Sequence, residues 1–115
     1  GNAGKDTFFL GLKDSLLGSI DHITDLAIGT DRINGPKAVA APDVHQLGEA
    51  ASLSEGDLQS VLTTTAFVAH GAATFTVGAQ TFVALNDKGS GFDRTTDAII
   101  EITGFTGELS ELFIF

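Results

Sequence analysis

The side chains best placed to do chemistry in this chain of 115 residues are carboxylates set beside glycines. Its opening stretch, Gly1-Asn2-Ala3-Gly4-Lys5-Asp6-Thr7-Phe8-Phe9, follows the nonapeptide G-G-x-G-x-D-x-U-x, with Asn2 in place of the second glycine. Asparagine tolerates the left-handed backbone that such a turn uses. The glycine-rich turn brings backbone carbonyls inward and the aspartate adds charge, giving the hard oxygen ligands that Ca²⁺ requires. The candidate calcium ligands here are Gly1, Ala3 and Asp6, while Phe8 points from the following strand into the core of a roll. A calcium ion in this arrangement sits between consecutive turns, so one copy supplies half a site. A second oxygen-rich cluster lies late in the chain and comprises Asn86, Asp87, Asp93 and Asp97. Its loop either folds these groups around a cation or uses Asn-Asp and glycine for turn geometry. It lacks the Asp-x-Asp-x-Asp-Gly order of an EF-hand.

Enzyme chemistry finds no comparable foothold. There is no His-Glu-x-x-His pair, no Gly-x-Ser-x-Gly elbow and no glycine-rich phosphate loop ending in Lys-Ser/Thr. His22, His45 and His70 are scattered without metal-ligand spacing, and cysteine is absent, which excludes thiol catalysis and disulfides. With 15 Asp+Glu against 6 Lys+Arg the net charge is −9, so no basic patch exists for nucleic acid. The same charge repels an anionic membrane surface. Hydrophobic content of 43% is that of a folded domain, so the acidity does not signal disorder. No apolar run approaches the ~18 residues of a membrane span. Neither is there a basic-then-apolar signal peptide at the N-terminus. Methionine is also absent, which fits a fragment or a processed piece that begins inside a repeat.

The elements that must position these groups are mostly short strands. Thr7–Leu10, residues 20–26, 98–103 and Leu112–Phe115 each read as strands, and Gly29-Thr30-Asp31 as a turn with a short return through Arg32-Ile33-Asn34 to Gly35-Pro36. Residues 72–85 read as a hairpin turning at Gly78-Ala79. The clearest helix signal covers 55–63: Ser54 caps it, Asp57 reaches back, and Leu53 and Leu58 form a hydrophobic staple. A second helical stretch is expected over 43–51, with Val44, Leu47 and Ala51 on one side. The expected core includes Phe8, Leu10, Phe67, Phe75, Phe82, Leu85, Ile99, Ile102, Leu112 and Ile114.

GNAGKDTFFL followed by DHITDLAIGTDRING resembles the end of the RTX (hemolysin-type calcium-binding) repeat region and the segment that follows it in secreted bacterial proteins. The second half, AATFTVGAQTFVALNDKGSGFDRTTDAIIEITGFTGELSELFIF, resembles the C-terminal bluetail domain carried mainly by cyanobacterial RTX-type surface proteins. The two likenesses cover roughly 1–35 and 72–115. The resemblance implies secretion, calcium binding in the repeats and a non-catalytic terminal module. Gly1, Asn2, Gly4 and Asp6 correspond to the calcium turn, and Asp21, Asp25 and Asp31 match acidic positions of the post-repeat segment. It also gives the C-terminus a second meaning. Glu108 and Glu111 precede Leu112-Phe113-Ile114-Phe115, which reads as a core strand and also as the acidic-then-apolar signal of type I exporters.

The expected fold is therefore mainly β with one or two short helices, an RTX β-roll end followed by a small antiparallel β domain. Residues 1–36 form the last repeat and post-repeat segment, and 37–115 a bluetail-like cap packed with it as one unit. The expected role is non-catalytic: capping the roll and supporting calcium-dependent folding and type I export, outside the bacterial cell or on its surface. Its expected partners are calcium, upstream repeats and an exporter, with neither nucleic acid nor a membrane span. The rival readings are a cell-surface attachment or binding module, and an ancillary domain of a secreted hydrolase.

Overall fold

The computed structural model describes residues 7–9, 11, 15–35, 39, 43–93, 96–112 and 114. Among the described residues, seven strands and one short helix follow in the order β1 (Thr7–Phe9), β2 (Asp21–His22), β3 (Arg32–Asn34), β4 (Val44–Glu49), α1 (Glu55–Val61), β5 (Ala72–Val77), β6 (Gln80–Leu85) and β7 (Ala98–Glu101). The chain is mainly β, as its alternating patterns require. Strands β2-β7-β6-β5-β4 make a five-stranded sheet in that spatial order, and β1-β3 make a second, two-stranded one.

The β5–β6 hairpin is the local nucleus of the sheet. Val77 pairs with Gln80 across a two-residue loop, and Gly78 takes φ 60 at its first position. Glycine alone enters that conformation without steric cost, and this turn matches the natural twist of paired strands. Phe75 and Phe82 face each other in the register and stack with ring centroids 5.4 Å apart. Strand β7 joins β6 antiparallel, whereas the outer pairs, β4 with β5 and β2 with β7, are parallel. The sheet is thus mixed rather than antiparallel throughout, because α1 and the turns after it return the chain from β4 to β5 in the same direction.

Alternate residues of the central strands supply two cores. On one face Ala72, Val83, Leu85, Ala98 and Ile100 pack with Ile23, Leu26, Ile28, Ile33, Leu112 and Ile114. On the other Ala73, Phe75, Phe82, Ala84 and Ile99 pack with Leu58, Leu62, Phe67 and Phe92. Eight of the ten residues expected in the core are buried; Phe8 is partly buried and Leu10 lies outside the described residues.

Two expectations are corrected. Residues 44–49 are a strand, not a second helix, and the reason lies in the two cores. Val44 packs into one and Leu47 into the other, on opposite sides of the backbone, which one helical stripe cannot do. Residues 20–26 pair as a strand only at Asp21–His22, because β7 ends at Glu101 and offers no longer partner. A 3₁₀ turn occupies Leu109–Glu111; of the strand expected over 112–115, Phe113 and Phe115 lie outside the described residues, and Ile114 makes a parallel bridge to Ile33.

Helix α1 begins as its sequence indicates. Ser54 Oγ accepts from the Asp57 amide at 3.4 Å, but the Asp57 carboxylate does not reach the Ser54 amide directly. Ser52 Oγ stands between, donating to Asp57 Oδ2 at 2.7 Å and accepting from Ser54 N at 3.1 Å. No helix among the described residues is long and apolar enough to cross a membrane.

A close backbone approach joins residues 26–28 to 105–107. Thr106 N donates to Leu26 O and Ile28 N to Thr106 O, each at 2.9 Å. Gly107 follows at φ 92, and a Cβ there would fall 2.6 Å from Ile28 O. Gly48 in β4 has open space around it and no left-handed backbone. Gly107→Ala is therefore expected to cost about 3 kcal/mol, from left-handed strain plus a backbone clash, while Gly48→Ala is neutral or stabilising by about 0.5 kcal/mol. Urea unfolding of the two variants measures the contrast.

Candidate functional site

The acidic loop joins β6 to β7, and its side chains are spent largely on its own backbone. Asn86 is buried at the end of β6, where its Nδ2 donates to Phe67 O and Val68 O, both at 2.9 Å. Its Oδ1 accepts from Asp87 N at 2.9 Å, and its own N–H donates to Gly71 O. Asp87 Oδ1 accepts from Gly89 N at 3.0 Å, shaping the turn as aspartate commonly does. Asp93 is exposed, and its carbonyl accepts from Asp97 N at 2.9 Å.

Asp97 gathers these pieces. Its side chain is 0% exposed; Oδ1 accepts from Asp87 N at 3.1 Å and Oδ2 from Asp93 N at 2.6 Å. One carboxylate thus ties the departing and returning arms of the loop together. Burial pushes its carboxyl up to about 7, against the pull of the two amide donors, with the Asp87 charge adding to the rise. Each oxygen of Asp97 thus already holds one backbone amide, and the side chain is closed off from solvent.

Gly1, Ala3 and Asp6 lie outside the described residues. Asp31 closes the turn after Ala27, accepting from Ala27 N at 2.9 Å through Oδ2. Asp25 is exposed at a bend, and Asp21 stands on β2. His22 lies on β2 with its Nδ1 3.8 Å from Glu101 Oε1, and His45 is on β4. His70 takes φ 58 in the turn before β5, which aims its N–H at Asp87 O, 2.7 Å away. Among the described residues no three His, Asp or Glu side chains are grouped to hold a metal ion.

A second place of interest lies where β1 and β3 face β2 and β7. A groove of about 440 Å³ runs there, walled by Phe8, Phe9, Ile23, Ile33 and Ile100 with Asp21 among them. Phe9 is 78% exposed, the large hydrophobic side chain that the described surface shows most openly. Strand β1 runs parallel to β3, with Thr7, Phe8 and Phe9 opposite Arg32, Ile33 and Asn34.

Sequence reasoning passed over Ser15, which completes the edge of β7. Its hydroxyl donates to Ile99 O and accepts from Asp21 N at 2.8 Å, while its carbonyl accepts from Ile99 N at 2.8 Å. Nothing local marks this serine, since its partner lies 84 residues away. A signal for Asp97 was present: an aspartate directly before Ala-Ile-Ile enters the core with its strand. Comparison with protein-family models, with curated proteins and with solved structures returns no match for this chain.

The folded Asp97 carboxyl titrates at about 7 and the unfolded one near 3.8, so the folded state holds the extra proton between those values. Stability from this group is full below pH 3.8, falls as pH rises through the interval and is lost above about 7. Asp97→Asn keeps the site neutral and should flatten that part of the profile. Thermal melting of both proteins from pH 4 to pH 8 tests it, with the wild type losing stability faster than the variant across that range.

Proposed function

We propose that this chain is the non-catalytic C-terminal module of a secreted, calcium-binding RTX-type protein. In this reading it caps a parallel β-roll and supports calcium-dependent folding and type I export. The observation that carries the reading is the ladder at β1. Ile114, β3 and β1 stack side by side in the same direction, and short parallel strands stacked this way are how a roll is built. Among the described residues β1 pairs on one side only, and Phe9 stands open beside the apolar groove. The strand of a preceding repeat laid along β1 would cover Phe9 and satisfy that edge.

The nonapeptide runs directly into β1 in sequence, so calcium held by Gly1, Ala3 and Asp6 would fix the strand that the next turn stacks upon. Binding free energy then becomes folding free energy. Export fits the same sequence of events. Leu112 and Ile114 are buried in the folded chain, so an exporter that reads this apolar end meets it before folding is complete. Calcium-poor cytosol would keep the chain loose for passage, and calcium outside would close it.

Calcium at about 10 mM is expected to raise the melting temperature by about 5–10 °C over chelator, given extracellular-type affinities near 10⁻⁴–10⁻³ M. Asp6→Asn should remove most of that rise, whereas Asp87→Asn should retain it. A melting temperature that calcium leaves unmoved removes calcium-coupled folding from this chain. A rise that survives Asp6→Asn but disappears with Asp87→Asn moves the ion to the β6–β7 loop instead.

A further inference from the structure

We draw no further inference here: the strongest candidate, the apolar groove where β1 and β3 face β2 and β7 beside the exposed Phe9, belongs to the capping role already proposed, and nothing in the structure shows any other occupant that covers it.

Discussion

A β-sheet whose central strands are buried on both faces must find two covers, and that requirement organises this molecule. Strands β5, β6 and β7 alternate apolar residues toward both sides, so neither face can be left to water. The middle of the chain covers one face with α1, Phe67 and Phe92. The other is covered jointly by residues 23–33 and by the C-terminal turn with Leu112 and Ile114. Segments nearly 90 residues apart therefore meet over the same apolar surface, as the bonds between residues 26–28 and Thr106 show on a smaller scale.

Covering the sheet brings main-chain polar groups out of water at its edges, and side chains answer them. Ser15 supplies β7 with a hydroxyl and a carbonyl where β2 does not reach. Thr103 Oγ1 takes the Thr81 amide at 2.9 Å, and Asn86 closes the turn under β5. Asp97 does the same for the loop arms, offering one carboxyl oxygen to each of two amides. Its burial sets two opposing effects against each other: desolvation favours the neutral acid, and the amides favour the anion. Desolvation prevails.

What the sequence disclosed was what depends on neighbours in the chain. The β5–β6 hairpin could be read from its alternation and Gly78, and α1 from Ser54, Asp57 and the two leucines, because those signals act over a few residues. Residues 44–49 misled because apolar spacing compatible with a helix also serves a strand between two cores, and only the tertiary packing distinguishes them. The same limit applied to the acidic loop. Asn-Asp, glycine and two further aspartates are equally good turn formers and oxygen ligands. Only the placement of Asp97 between two amides shows how much of the loop is organised without a cation. Ser15 was out of reach altogether, since its bonds are defined by a strand near the other end of the chain.

The parallel stacking of β1, β3 and Ile114 has a mechanical consequence. The first and last described segments lie on either side of β3 and run in the same direction. Tension drawing the two ends of the chain apart would therefore slide the outer segments past β3 in opposite senses. The β1–β3 bonds and the Ile114 bridge would bear that load together in shear, whereas a hairpin pulled at its open end parts one pair at a time.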